Sequence, residues 1–131
     1  MKGVEWLKNY IREKNINAKI IEVRRASTVN EAAEEVGCSK RQIIKSIVLV
    51  AEDEAVVAIV DGTLSVDLKR VEKLLGKSVR IAGREEVLHL TDFPAGGVPP
   101  IGHDCKVFVD EREFSRMRGF TAVEEMKSIC F

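Results

Sequence analysis

The sequence predicts a single α+β domain with a mixed central β-sheet, and three observations support this fold class. The chain has 131 residues, of which 45% are hydrophobic and 32% are charged, so it is long enough for one core and too apolar to remain disordered. Segments with helical and with strand periodicity follow one another along it. In its middle, two β-branched runs, 43–51 and 55–60, flank a short acidic turn, which is typical of a β-hairpin.

A helix, a strand and a second helix are predicted before the hairpin. The first helix covers the stretch VEWLKNYIREKN, in which apolar residues recur at helical spacing: Val4, Leu7, Tyr10 and Ile11. Residues 17–23 predict a strand. The second helix follows Ser27 or Thr28, either of which is a suitable cap, and it ends at Gly37.

The hairpin strands are apolar on both faces, so we expect them in the middle of the sheet. The helix that follows starts at Ser65 or Asp67 and ends at Gly76. Its apolar stripe, which we expect to face the core, consists of Leu68, Val71, Leu74 and Leu75. The remaining predicted elements are a short strand, a short helix and a strand: 77–82, 84–90 and 105–110.

Lys45 is unexpected in the hairpin, because strand alternation places it on an apolar face with Ile43 and Ile47. A lysine is rarely buried without a partner, since removing an ammonium group from water is costly. Either its side chain extends to water from the start of the strand, or it is a cation at the mouth of a pocket, ready to meet a phosphate or a developing oxyanion. In the second case we expect the ammonium in a cleft, on the same side of the sheet as residues 96–103.

A loop rich in glycine and proline, AGGVPPIGH, occupies residues 95–103. Its prolines fix φ and remove backbone donors, whereas its glycines let a ligand approach the backbone closely. These residues are Gly96, Gly97, Pro99, Pro100 and Gly102. The loop is either a tight connection between a helix and a strand, or a binding loop whose N–H groups face an acyl carbonyl or a ribose hydroxyl. His103, which ends it, is a base, a binding donor or simply a loop histidine.

Several known catalytic and ligand-binding motifs are absent from the sequence, and their absence excludes some classes of function. The sequence has no GxSxG, P-loop or HExxH motif, and His103 and Cys105 lack the spacing of a zinc site, so we expect no metal and no cofactor. Cys38 is a weak candidate nucleophile because no base stands beside it. Three cysteines without CxxC spacing fit a reducing, cytoplasmic environment, and no stretch resembles a signal peptide or a membrane span.

Charge is distributed unevenly along the chain, although the net charge is zero. Overall electrostatics therefore does not attract nucleic acid. Residues 1–45, however, contain ten Lys or Arg against six Asp or Glu. This excess is either an ordinary mixed surface or a local basic face that binds phosphates, for which the candidates are Arg24, Arg25, Lys40 and Arg41.

Several segments together resemble the YbaK/prolyl-tRNA synthetase-associated editing domain family. They are the lysine-containing strand RQIIKSIVLV, the helix VDLKRVEKLLG, and the loop from Gly96 to Pro100 that IGH closes. The resemblance extends from about residue 18 to 112 and implies a small α+β domain with a barrel-like mixed sheet. It also implies hydrolysis of the ester bond of mischarged aminoacyl-tRNA, with proline tRNA carrying a small wrong amino acid, such as alanine or cysteine, as the expected substrate.

The resemblance also assigns roles to particular residues. Lys45 corresponds to the family's essential lysine, and the segment Gly96 to Pro100, which includes Val98, corresponds to the loop that holds the aminoacylated 3′ end. We add Gly102 and His103 to the residues expected to bind substrate. The implied partners are the 3′ acceptor end of aminoacyl-tRNA and prolyl-tRNA synthetase, for a protein that is a monomer or a homodimer and has no membrane partner.

The chain departs from the family in its last part. From about residue 113 the tail, EFSRMRGFTAVEEMKSICF, contains a single glycine, and the family's further strand is not evident in it. The 1–131 domain therefore has an atypical or shortened C-terminal part, in which the edge of the sheet is either rebuilt or missing. The alternative to an enzyme is a catalytically weak module that binds the tRNA acceptor end, and a protein-interaction domain is a third possibility.

Overall fold

The computed structural model describes residues 1–22, 28–109, 121–124 and 127–130, and it confirms the α+β class. Every element predicted up to residue 109 is present. In chain order the elements are α1 (Val4–Glu13), β1 (Lys19–Glu22), α2 (Val29–Val36), a 3₁₀ helix (Lys40–Gln42), β2 (Ile43–Ala51), β3 (Glu54–Asp61), α3 (Leu68–Leu75), β4 (Val79–Ile81), α4 (Arg84–Thr91), β5 (Lys106–Val109), β6 (Thr121–Glu124) and β7 (Lys127–Cys130).

The strands form one mixed sheet in the order β1-β7-β6-β2-β3-β5, and β4 pairs with β2 beside this path. β2 and β3 are antiparallel, whereas β6 is parallel to β2 and β5 is parallel to β3. The hairpin strands are therefore central, as predicted. Of the two alternatives for the tail, a missing sheet edge is wrong, because β6 and β7 lie between β1 and β2.

Side chains at the helix starts decide the alternatives that the sequence left open. Thr28 caps α2: its hydroxyl oxygen accepts a hydrogen bond from the backbone N–H of Glu31 at 3.1 Å. Ser27, the other candidate, lies outside the described residues. Asp67, and not Ser65, caps α3 in the same way, with the N–H of Arg70 at 3.2 Å. Each cap satisfies one of the backbone donors that the first turn of a helix leaves without a partner.

Core packing differs on the two faces of the sheet. On one face, α1 and the loop after α4 pack on the hairpin, and this cluster includes Leu7, Ile44, Val48, Phe93 and Val98. On the other face, α3 covers Leu49, Val56 and Ala58 through Val71, and α2 covers Ile43 through Ala32 and Ala33.

The predicted inner stripe of α3 is too wide by one residue. Val71 is buried, and Leu68 and Leu75 pack against its cluster, but Leu74 is 65% exposed, so its assignment to the core is wrong. An α-helix turns by roughly 100° per residue. Leu74 therefore points well away from the direction of Leu75, and a short helix that contacts the sheet along a narrow line does not bury both.

Acid should weaken the contact between β4 and α4. Arg80 donates two hydrogen bonds to the Glu86 carboxylate, each at 2.7 Å, and together with the N–H of Gly83 they lower the pKa of Glu86 to about 2. A lowered pKa in the folded state gives stability that is present above the ordinary carboxyl pKa and is lost as the pH falls through the folded value. We expect the thermal midpoint to drop between about pH 4.5 and pH 2, and Glu86→Gln to reduce this drop.

The matched control is Glu85→Gln, which removes an exposed carboxylate from the same turn of α4. Thermal melts at intervals of half a pH unit would compare the two variants with the wild type. If Glu85→Gln flattened the acid limb as much as Glu86→Gln, the effect would reflect net charge and not the pair with Arg80.

Candidate functional site: an opening beside β2

The centre of β2 lies next to an interruption in the sheet. On one side, β2 pairs with β3 from Ile44 to Ala51. On the other side, β6 pairs with only Ile43 and Ile44, and β4 pairs with only residues 49–51. In the described part of the chain, residues 45–47 therefore have no strand beside them on this side. We call this feature the β2 opening.

The burial of β2 shows that the opening can be reached from both faces. Ile43 and Ile44 are buried before it, and Val48 and Leu49 are buried after it, whereas Lys45, Ser46 and Ile47 are each partly exposed. Successive side chains of a strand point to opposite faces. Three partly exposed residues in a row thus mean that neither face is closed at this point.

Lys45 stands at the edge of this opening without a partner among the described residues. Its ammonium group makes no hydrogen bond and no ion pair within those ranges. A partly buried cation that is not neutralised by the protein attracts an anionic or strongly polar ligand group. Partial exposure at this point is compatible with both interpretations, a side chain that extends to water and a cation at the mouth of a pocket.

The expectation that Lys45 and the loop share one face of the sheet is wrong for the buried part of the loop. Val98 belongs to the core cluster of Ile44 and Val48, whereas Ile47 packs into the cluster under α3. Lys45 alternates with Ile44 and so leaves the strand on the side of Ile47. Lys45 and the buried part of the loop therefore lie on opposite faces of the sheet, so they do not line one cleft.

The loop is anchored at its start by hydrogen bonds of Thr91, and its first glycine is open to solvent. At its start, the Thr91 hydroxyl donates to the carbonyl of Val87 at 2.7 Å and accepts from the N–H of Phe93 at 3.1 Å. Gly96 is exposed, and a Cβ placed on it would meet no atom within 4 Å. Its backbone is therefore open to a ligand.

Gly102 faces the protein interior. A Cβ placed on it would lie 2.8 Å from the ring of Trp6 in α1, and Val98 and Pro99 are buried between these two glycines. Close packing against Trp6 accounts for this glycine without a ligand. Within the loop, Gly97 is buried and its N–H donates to the carbonyl of Pro94 at 2.9 Å, while Pro100 is partly exposed.

His103 accepts one hydrogen bond, and its second ring nitrogen has no partner among the described residues. Its Nδ1 accepts a hydrogen bond from the backbone N–H of Cys105 at 3.3 Å, so Nδ1 carries no proton and the neutral ring holds its proton on Nε2. Nε2 is buried and has no acceptor among the described residues. Burial, followed by the nearby Lys2 cation, lowers the pKa of His103, and Asp104 opposes this shift. The role of His103 in binding substrate stays a prediction.

Two of the predicted phosphate contacts lie just before β2. Lys40 and Arg41 are exposed on the 3₁₀ helix, whose first turn is capped by Ser39: its hydroxyl accepts from the N–H of Arg41 at 3.2 Å. This helix leads directly into β2, so both cations lie shortly before Lys45 in the chain. The other two candidates, Arg24 and Arg25, lie outside the described residues.

Sequence reasoning missed Ser46. It is partly exposed on the opposite face from Lys45 and lies in the same opening. The available signal was the pair Lys45-Ser46, two polar residues that interrupt an otherwise apolar strand of nine residues. An interruption of this kind indicates a strand that is locally uncovered on both faces.

The described ranges contain neither a metal-binding cluster nor a membrane-spanning helix. No group of three His, Cys, Asp or Glu side chains there is arranged to hold a metal ion. None of the helices in those ranges combines the length and the apolar character that crossing a bilayer requires. Cys38 and Cys105 are not in a disulfide.

Comparisons with known proteins point to one family. The family model for the aminoacyl-tRNA editing domain matches residues 23–127. Uncharacterized protein YwhH of Bacillus subtilis (strain 168) is 36% identical over 88 residues, which are 65% of this chain and 56% of YwhH. The proline–tRNA ligase of Thermosipho africanus (strain TCF52B) is 31% identical over 94 residues, or 71% of this chain and 17% of the ligase. The chain thus spans about half of the first relative and a small part of the second.

A solved structure shares the fold over nearly the whole chain. It is the crystal structure of a candidate trans-editing enzyme for prolyl tRNA synthetase, and it superposes with a TM-score of 0.87 at 30% sequence identity. The superposition covers 95% of this chain and 83% of that one. The likeness is therefore one of the overall fold.

Proposed function

This chain belongs to the aminoacyl-tRNA editing domain family, and from this premise we propose that it hydrolyses the ester bond of mischarged aminoacyl-tRNA at the β2 opening. The observation that carries the proposal is the Lys45 ammonium, which is partly buried beside an interruption in the sheet and has no partner among the described residues. Such a cation, held in place before substrate arrives, can stabilise negative charge that develops on a bound carbonyl.

The reaction needs positioning more than a strong nucleophile, because an aminoacyl ester is already an activated bond. Water adds to the ester carbonyl, and the carbonyl oxygen becomes negatively charged. The bond between the carbonyl carbon and the ribose oxygen then breaks. One proton of the attacking water passes to the ribose oxygen, which leaves as a hydroxyl of free tRNA. The other proton is released to solvent as the amino acid leaves in its carboxylate form. In this reaction, the Lys45 ammonium stabilises the negative charge of the oxyanion or binds the terminal phosphate beside it.

The opening and the loop hold the substrate from two sides. The Ser46 hydroxyl offers a further donor or acceptor on the face opposite Lys45. The exposed backbone at Gly96 and the Nε2–H of His103 are suited to the ribose and the acyl group. Lys40 and Arg41 contact phosphates further along the acceptor end. Gly102 is not part of this set, since it packs on Trp6.

Proline tRNA carrying alanine or cysteine is the substrate we propose. The support comes from the proline–tRNA ligases among the relatives and from the structural neighbour named for prolyl tRNA synthetase. A synthetase discriminates against a side chain that differs by one methylene by only about 1–3 kcal/mol, so a second, hydrolytic site is useful. Prolyl-tRNA synthetase is the corresponding partner, because it produces the mischarged tRNA.

The experiment is a deacylation panel with the wild-type protein. Proline tRNA charged with alanine, cysteine or proline is compared with alanine tRNA charged with alanine, and the release of amino acid is followed with time. We expect release of alanine or cysteine from proline tRNA and none of proline. Saturable binding of charged tRNA without any release would instead support the acceptor-end binding module, and neither binding nor release would overturn both.

Binding of tRNA should depend on salt through Lys40 and Arg41. Each phosphate contact contributes about 0.7–0.9 to the slope of the logarithm of affinity against the logarithm of salt concentration. Replacing both residues by alanine should therefore lower the magnitude of this slope by about 1–2. Binding measured between low and moderate salt checks this.

The matched control is the double variant Lys69→Ala and Lys73→Ala, which removes two exposed cations from α3. It should leave the slope unchanged, since net charge alone is the same in both variants. An equal loss of slope in the two double variants would mean that the contacts of tRNA lie elsewhere or are unspecific.

A further inference from the structure

The two ends of the loop after α4 are joined by a residue that lies outside the family match. The match begins at residue 23, so it includes neither α1 nor the segment before it. In that segment, the backbone N–H of Lys2 donates to the carbonyl of Asp92 at 2.8 Å, and its Nζ donates to the carbonyl of Gly102 at 2.8 Å. One residue thus bridges the start and the end of the segment 92–102.

Aromatic rings fix the side chain that makes this bridge. The Lys2 ammonium lies 4.3 Å from the centre of the Trp6 ring and 5.7 Å from that of Phe93. Trp6 in turn contacts Phe93 edge to face, with ring centres 5.9 Å apart, and stacks on Tyr10. Cation–π contacts of this kind restrict a lysine that would otherwise sample many rotamers.

The same ammonium acts on His103 through its charge. It is the second cause, after burial, of the lowered pKa of His103, and Asp104 is the charged group that opposes it. Lys2 therefore holds the end of the loop in place and also helps to keep the His103 ring neutral. A neutral ring is the form in which Nδ1 accepts from Cys105 and Nε2 carries the proton.

We propose that Lys2 is a positioning residue for the hydrolytic reaction: by tying Asp92 to Gly102 it fixes the loop that presents Gly96 and His103 to the aminoacylated 3′ end. The substrate named in this inference rests on the proposed function. The contacts of Lys2 on which it is based, however, all lie within the protein. Lys2 touches no reacting atom and acts through the loop.

The test compares Lys2→Met, which keeps the aliphatic stem but removes the charge and the donor, with Lys2→Arg, which keeps both. Lys8→Met is the matched control, because Lys8 is exposed on α1 and pairs with only the exposed Glu5. We expect Lys2→Met to lower kcat/KM for mischarged proline tRNA about ten- to a hundredfold, as misplaced binding groups do. Lys2→Arg should recover most of this loss, and Lys8→Met should show none.

A histidine titration followed by NMR makes the result independent of turnover. His103 and His89 are the two histidines of the chain, and the exposed His89 serves as an internal reference. We expect the pKa of His103 to rise in Lys2→Met, because a nearby positive charge has been removed. In the wild type, absence of deacylation would refute the proposed function, but the shift of His103 would still report on the bridge.

Two results would overturn the inference. The first is an unchanged kcat/KM and an unchanged His103 titration in Lys2→Met. The second is a loss of activity in Lys2→Met that Lys2→Arg fails to recover and that follows a fall in the thermal midpoint. In that case Lys2 would contribute to folding alone.

Discussion

Lys45→Ala is expected to reduce the rate of deacylation by about a hundred- to a thousandfold, which is the usual cost of losing one donor placed for a developing oxyanion. The thermal midpoint should change little, because the ammonium has no protein partner among the described residues and the neighbouring Ile44 and Val48 keep their packing. A large loss of rate beside an intact fold would identify Lys45 as a residue that acts on substrate. Single-turnover rates on mischarged proline tRNA, with a thermal melt of each variant, give both quantities.

Three further variants test whether the site needs this particular cation. Lys45→Arg keeps the charge but replaces a compact ammonium by a planar group, so it should recover the rate only in part. Lys69→Ala removes an exposed lysine from α3 and should leave the rate unchanged. Cys38→Ala should also be active. An unaltered rate for Lys45→Ala, or an equal loss for Cys38→Ala at unchanged stability, would contradict the role given to Lys45.

Gly102→Ala should destabilise the protein considerably more than Gly96→Ala. Both glycines have a positive φ, 88° and 83°, so alanine costs the backbone about 1–2 kcal/mol at each site. Only at Gly102 does the new Cβ also meet a neighbour, the Trp6 ring at 2.8 Å, whereas Gly96 faces open space. Overpacking of this kind typically adds about 1–3 kcal/mol. The difference between the two variants therefore isolates the contact with Trp6.

Denaturant unfolding of both variants measures this difference, and a second substitution checks its cause. Trp6→Leu in the background of Gly102→Ala should recover part of the loss, because the smaller side chain leaves room for the Cβ. In the Gly96→Ala background the same change should only add its own cost. Equal free energies of unfolding for the two single variants would show that Gly102 is needed for its conformation alone. The rate of deacylation should show the opposite order: Gly96→Ala should reduce it more than Gly102→Ala does, if the backbone of Gly96 contacts the ester.

Much of the fold follows from local sequence patterns. The bounds of α2 and α3 are set by side chains that act within one turn, Thr28 and Asp67 at the starts, and such signals can be recognised in the sequence. The hairpin follows in the same way from two β-branched runs and a short turn. Leu74 was misassigned because the width of the buried stripe depends on how α3 meets the sheet, which is a property of tertiary packing.

The candidate site was only partly predictable, because it is formed by pairing between distant segments. Lys45 stood out as a charged residue in an apolar strand, but the opening beside it depends on how β6 meets β2, and in the described part of the chain these strands pair at only two residues. No local pattern encodes that separation. The prediction of the face on which the loop lies was wrong for a similar reason. Val98 packs in one cluster with α1, some ninety residues earlier in the chain. Only the folded structure shows on which side of the sheet this cluster lies.

The central claim is that substrate binds at the β2 opening with its ester at Lys45, and a crystal structure with a stable substrate analogue tests it most directly. The analogue is an adenosine 5′-monophosphate that carries alanine on its ribose through an amide in place of the ester, so that it is bound but resists hydrolysis. We predict that its carbonyl oxygen or its phosphate lies within hydrogen-bond distance of the Lys45 ammonium, roughly 2.7–3.2 Å, with Ser46 and the backbone at Gly96 beside the same ligand. An analogue that bound with residues 45–47 free of contact would contradict the account.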